Sequence, residues 1–177
     1  MARYRCDVTD DLDPDRDALE AALAGRGPHE LFPCDPALAD TAAFCAHYGF
    51  DPADAANTIV VVGKGADPLY AACVVLATHR LDVNRVVRAR IGRKSSFASP
   101  DETRSLTGHE IGGVTVFGLP DDLPIWVDAA VMDRKRIVLG GGSRSWKVIA
   151  PPSILRTLPR VEVVEGLANP APPRDPA

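Results

Sequence analysis

The chain has 177 residues, 46% of them hydrophobic and 25% charged, with a formal net charge of −4, which fits one globular domain and excludes a globally basic nucleic-acid binder. No stretch approaches the roughly 18 consecutive apolar residues of a membrane span, and the polar, acidic start lacks the apolar centre of a signal peptide. The expectation is a cytoplasmic protein with no membrane partner.

Residues 1–12 show little pattern. Residues 13–25 read as an amphipathic helix with Leu19, Ala22 and Leu23 on one side and Gly25 at its end. Asp40 caps a second helix that runs to Tyr48 and closes at Gly49. The β-branched run of residues 58–62, the turn of residues 63–68 and the run of residues 69–77 predict a hairpin. Asp82 caps a short helix through Ile91, and Phe97 lies in a brief strand. Further strands are expected near residues 125–128, 136–139, 147–150 and 161–164, with a helix opened by Pro151 before the last. The four prolines of residues 169–177 predict a disordered tail. Residues 1–168 then form one α+β (mixed α/β) domain, its connections short enough to favour mixed or antiparallel pairing. Cys6, Cys34, Cys45 and Cys73 show no paired spacing and read as reduced, buried thiols.

The most informative stretch is Leu106-Thr107-Gly108-His109-Glu110-Ile111-Gly112-Gly113-Val114-Thr115-Val116-Phe117-Gly118. A helix with Ser99 as N-cap, Pro100 at its first position and Glu102 completing a capping box leads into it and stops at Gly108. The glycines beyond shape backbone for close approach, either to a ligand or simply within a tight turn. Backbone N–H groups around Gly112, Gly113 and Val114 can serve as oxyanion donors without any special side chain. His109 reads as a pocket wall, as a base near physiological pH, or as a loop histidine bonded to backbone. Thr115 positions a water or bonds its own loop. Asp128 orients a pocket group or caps the next turn.

Arg80, Arg85, Arg88, Arg90, Arg93 and Lys94 surround the single acid Asp82. On an acidic protein this segment is the best candidate for contact with a polynucleotide backbone, the alternative being an ordinary solvated face. Metal and nucleotide signatures fail. Asp11-x-Asp13-x-Asp15 has Arg16 where a calcium loop needs glycine, and Cys45-x-His47 lacks a second ligand pair. Gly140-Gly141-Gly142-Ser143 has no phosphate-loop lysine after it. No cofactor and no metal are expected.

Between about residues 40 and 158 the ordered motifs resemble the YbaK/EbsC-like family, the stand-alone relatives of the prolyl-tRNA synthetase editing domain. The matching pieces are the helix of residues 41–49, Ala56-Asn57-Thr58-Ile59-Val60-Val61, Thr78-His79-Arg80-Leu81-Asp82-Val83, the glycine stretch from Leu106 to Val114, Ile125-Trp126-Val127-Asp128, Leu139-Gly140-Gly141-Gly142 and Ile149-Ala150-Pro151-Pro152. The resemblance implies a twisted, mostly antiparallel mixed β-sheet or barrel surrounded by helices. It also implies a deacylase that hydrolyses mischarged aminoacyl-tRNA in trans, or a binding module of that fold without turnover, or hydrolysis of another small acyl ester. The tRNA acceptor end is the implied partner, with Arg80, Arg85, Arg88 and Lys94 as contacts.

On this reading Asn57, Gly112, Gly113 and Thr115 carry the chemistry, and His109, Val114, Val116, Phe117, Asp128, Gly140, Gly141 and Gly142 bind substrate. Members of the family usually carry lysine where this chain has Asn57 and proline where it has Val116, and both changes are expected to fall on the pocket. A charged donor contributes roughly 1.5–3 kcal/mol and a neutral one about 0.5–1.5 kcal/mol, so Asn57 predicts altered chemistry. Lys64 lies about 23 Å along an extended strand, at roughly 3.3 Å per residue, and cannot replace that lysine. Lys147 and Arg144 remain open as substitutes.

Overall fold

The computed structural model describes residues 13–172. Helix α1 (Pro14–Leu23) starts at Asp13, whose carboxylate accepts from the Asp15 and Arg16 N–H groups. Strand β1 (Glu30–Pro33) follows, then α2 (Thr41–Tyr48), which stops at Gly49 with φ 74°. The expected hairpin is β2 (Ala56–Gly63) and β3 (Leu69–Leu76). After β4 (His79–Leu81), Asp82 caps a wide helical turn, Val83–Val87, that tightens into α3 (Arg88–Ile91). Next come β5 (Ser95–Phe97), α4 (Pro100–Thr107), β6 (Ile125–Asp128) and the single-turn α5 (Ala129–Met132). The chain ends with β7 (Ile137–Gly140), β8 (Trp146–Ala150), β9 (Val161–Val164) and β10 (Ala168–Pro170).

Two details depart from the sequence expectation. The helix opened by Pro151 is a 3-10 turn, Pro152–Thr157. Asn169 and Pro170, expected in the disordered tail, pair antiparallel with β4, which leaves only residues 173–177 of that tail outside the described residues. Pro170 sits at the end of a two-stranded edge, where its missing N–H costs no ladder bond.

The main sheet has the order β5-β2-β3-β6-β9, antiparallel through β5, β2 and β3 and parallel from β3 to β6 and β9. A second, antiparallel sheet has the order β1-β8-β7. This mixed architecture is the expected one, but the sheets do not close into a barrel. Among the described residues one isolated parallel bridge, Ala55 to Val138, links their backbones, beyond which β2 and β7 part. A cavity opens in the gap they leave.

Strand periodicity explains the core. Ala56, Ala72, Val74 and Leu76 point from one face of the hairpin toward Leu139, Val148 and Phe117 and toward Leu19 and Leu23 of α1. Val61, Cys73 and Val75 point from the other face toward Val83, Val87, Trp126 and Leu167. A third cluster joins Phe44 and Cys45 of α2 to Cys34 and Val138. Phe32 meets Phe44, Tyr48 and Phe50 edge-on, at centroid separations of 5.7, 5.2 and 5.3 Å. Cys34, Cys45 and Cys73 are buried free thiols; Cys6 lies outside the described residues. No described helix is long and apolar enough to cross a membrane.

Candidate active site

Where β2 and β7 diverge, a cavity of about 480 Å³ opens, walled by α2, β2, the start of α4, the glycine loop and β7. Each wall has a local cause. The capping box fixes the start of α4, since the Glu102 N–H donates to Ser99 Oγ at 3.2 Å and the Ser99 N–H to Glu102 Oε2 at 2.7 Å. Gly108, with φ 72°, ends that helix and launches the loop. Gly112 has φ 93°, and a Cβ there would overlap the Arg144 guanidinium. A Cβ on Gly113 would run into the Ser143 backbone, and one on Gly140 into the Gly113 and Val114 carbonyls. The two glycine turns are therefore laced back to back, the Gly142 N–H donating to Gly113 O at 2.7 Å and the Glu110 N–H to Gly142 O at 2.8 Å.

Arg144 pins this pair of turns to the segment before α2. Its Nε donates to Pro36 O at 2.9 Å, and its Nη1 to Ile111 O at 3.2 Å and to Asp40 Oδ1 at 3.4 Å. Asp40 stands at the N-cap position of α2, but its carboxylate turns to Arg144 and makes no cap bond, contrary to the sequence reading.

On the opposite wall, Thr41 Oγ1 donates to Asn57 Oδ1 at 2.9 Å. With its oxygen held there, the Asn57 amide keeps its two N–H donors for a ligand. The β2 edge adds more. Ala98 N–H donates to Val60 O at 2.9 Å, so the even-numbered residues of β2 turn their peptide groups away from β3. Strand β5 pairs only with Val61, Val62 and Gly63, and the Thr58 peptide faces the cavity without a strand partner.

Lys147 of β8 is the one cationic side chain among the lining residues. It is only 6% exposed, and its Nζ donates to Ala39 O at 2.6 Å and more weakly to Gly112 O at 3.4 Å, 5.5 Å above the Phe44 ring. Burial pushes its pKa below the ordinary lysine value, with the Cys34 thiol acting in the opposite sense. Register explains its position, since Lys147 lies across the ladder from Gly140 on one side and Phe32 on the other.

Of the residues singled out from sequence, Asn57, Gly112, Val114 and Gly140 come together on the cavity wall. The Gly112 and Val114 N–H groups donate to no backbone carbonyl among the described residues, whereas that of Gly113 is spent on Glu110 O at 2.9 Å. The remaining residues lie elsewhere. Val116 and Phe117 are buried in the main core, so the exchange of proline for Val116 alters packing behind the loop and not the cavity wall, contrary to expectation. Asp128 is a strut: Oδ1 accepts from the Ala130 N–H at 3.0 Å and Oδ2 from the Ala168 N–H at 2.8 Å. His109 packs its ring against Gly142, with Nδ1 buried and unpartnered among the described residues, and burial lowers its pKa. Thr115 is 1% exposed and its hydroxyl also lacks a partner. Gly141 packs against the Trp146 backbone.

Sequence reading missed Thr41, Phe44, Val138 and the exposed Phe97 at the rim, where Ile111 of the glycine stretch is also exposed. Only the polar residue opening α2 offered a signal. The basic candidates are all at the surface, where Arg85 pairs with Asp82 at 3.0 Å and Arg80, Arg88 and Lys94 have no ion pair among the described residues. No group of three or more His, Cys, Asp or Glu among the described residues is placed to hold a metal ion.

The family model for the aminoacyl-tRNA editing domain matches residues 35–158, and the chain belongs to that family. A solved structure described as a candidate trans-editing enzyme for prolyl tRNA synthetase superposes with a TM-score of 0.75 at 24% identity, covering 88% of this chain and 98% of that one. The hypothetical protein APE2540 superposes with a TM-score of 0.76 at 23% identity, covering 86% and 99%. Both likenesses concern the fold. The uncharacterized protein YwhH of Bacillus subtilis (strain 168) is 35% identical over 72 residues, which are 41% of this chain and 46% of that protein, so the match spans under half of the curated relative.

Proposed function

We propose that this chain is an aminoacyl-tRNA deacylase acting in trans, hydrolysing the ester between a mischarged amino acid and the terminal ribose of tRNA. The observation that supports the reading is the cavity itself, apolar over most of its wall and lined by Asn57, Gly112 and Val114, whose amide and backbone N–H groups have no protein acceptor among the described residues. An acyl-ester hydrolase needs donors where negative charge builds on the carbonyl oxygen, and preorganised N–H groups supply them; losing one typically costs about 10²–10³ in rate. The Thr58 carbonyl, turned to the cavity, accepts from the substrate ammonium. Phe97, 56% exposed at the rim, offers a face for the terminal adenine. Arg80, Arg88 and Lys94 contact the tRNA backbone.

The test is release of amino acid from a panel of charged and mischarged tRNAs by the purified protein. Release above the buffer rate from at least one is expected, and none from any member rejects the enzyme. One observation favours a second reading, a module that binds aminoacyl-tRNA without turnover: among the described residues that line the cavity Asp40 is the only carboxylate, and its Oδ1 lies 3.4 Å from the Arg144 guanidinium. That reading predicts binding without release, and hydrolysis created by Asn57→Lys.

A further inference from the structure

We infer that the Lys147 ammonium is the charged donor that meets the acyl carbonyl oxygen in the cavity, an inference that rests on the deacylase reading above. The first argument is the missing counter-charge. A lysine this deeply buried is ordinarily paired with a carboxylate, because an isolated ammonium is costly to remove from water. Here Nζ has two backbone carbonyls, from Ala39 and Gly112, while the nearby Asp40 carboxylate is turned to Arg144. The third N–H has no protein acceptor among the described residues. A developing oxyanion provides the charge that the protein withholds.

Position is the second argument. The bond to Gly112 O sets Nζ against the same peptide stretch that lines the cavity through Gly112 and Val114, whose N–H groups donate to no backbone carbonyl among the described residues. The depth of Lys147 also selects the ligand group. A phosphate on the tRNA backbone stays near the rim, and only the acyl end of the substrate reaches a side chain 6% exposed. Arg144 cannot take this role, since its Nε and Nη1 are held by Pro36, Ile111 and Asp40 and it is absent from the lining.

In the reaction the oxygen of a water bonds to the acyl carbon, the carbonyl pair moves to oxygen beside Lys147, and that pair returns as the ester C–O bond breaks. The ribose oxygen takes one of the water's protons. The amino acid leaves as a carboxylate and the second proton passes to solvent. Lys147 stays protonated throughout, so it acts by charge and not by proton transfer.

The experiment compares wild type with Lys147→Met on whichever tRNA the wild type deacylates, after thermal melting has shown that the variant folds. A kcat lower by about 10²–10³ with KM nearly unchanged is expected, since the oxyanion exists only in the transition state. An unchanged kcat in a folded variant overturns the inference and leaves the deacylase reading intact. If wild type itself releases nothing from any tRNA, the deacylase reading has failed first. Should the variant not fold, the wild-type pH profile decides. After subtraction of the uncatalysed rate, kcat is expected to fall as pH rises toward the ordinary lysine value of 10.5, because the charge is lost earlier in this pocket. A kcat that stays flat through that range overturns the inference.

Discussion

On the proposed reading Asn57 and Lys147 divide the work of the pocket: one offers oriented neutral donors, the other a buried charge. The division rests on small contacts, the Thr41 hydroxyl on Asn57 Oδ1 at 2.9 Å and the Ala39 carbonyl on Lys147 Nζ at 2.6 Å. At the rim, Phe97 is the side chain best placed to act on binding without touching the reacting atoms. Stacking of a base on an aromatic ring is worth roughly 1–3 kcal/mol. Phe97→Ala is therefore expected to raise KM for aminoacyl-tRNA by roughly 5- to 150-fold with kcat little changed, as steady-state deacylation would show. A fall in kcat at constant KM would place the ring among the reacting groups instead.

At the scale of elements, Asp128 shows how a residue that looks functional is structural. It ends β6, caps α5 through Ala130 and ties the start of β10 through Ala168, all from a carboxylate 3% exposed. Asp128→Ala removes a cap and orphans a buried N–H, an expected loss of about 2–4 kcal/mol in denaturant unfolding. Deacylation well below the melting point should stay within a few-fold of wild type; a large loss of kcat in the folded variant would return Asp128 to the site. Periodicity and capping chemistry made α1, α2, the β2–β3 hairpin and α4 legible, because each depends on neighbours along the chain. Strands β1 and β10 were not, since Glu30-Leu31-Phe32-Pro33 and Ala168-Asn169-Pro170 become strands only through partners far away in sequence. Lys147 was legible as a lysine on a strand; its arrival beside Gly112 depends on the β7–β8 register and on the crossing of two sheets.

For the molecule as a whole, the decisive fact is that the backbones of β2 and β7 are linked at one bridge and then separate. Closure into a barrel would have filled the gap with a ladder; divergence leaves Asn57, the Thr58 peptide, Gly112 and Lys147 around an open space. The glycine loop was legible as a place of close approach, but what it approaches, the turn of Gly140 and Gly142, is set by tertiary packing. Arg80, Arg88 and Lys94 then form the surface expected to hold the tRNA backbone. Replacing Arg88 and Lys94 together with alanine should weaken tRNA binding and flatten its log–log salt dependence by about 0.7–0.9 for each phosphate no longer neutralised. Hydrolysis of a minimal aminoacyl-adenosine should be unaffected, and an unaltered salt slope would remove these residues from the interface.

The most direct measurement is a crystal structure of the protein with a 3′-aminoacylamino-adenosine, whose amide replaces the scissile ester. The carbonyl oxygen of that analogue is predicted to lie within hydrogen-bonding distance of Lys147 Nζ and the Gly112 N–H, with adenine against Phe97. An analogue bound outside the gap between β2 and β7, or seated there with its carbonyl turned away from both donors, would contradict the account.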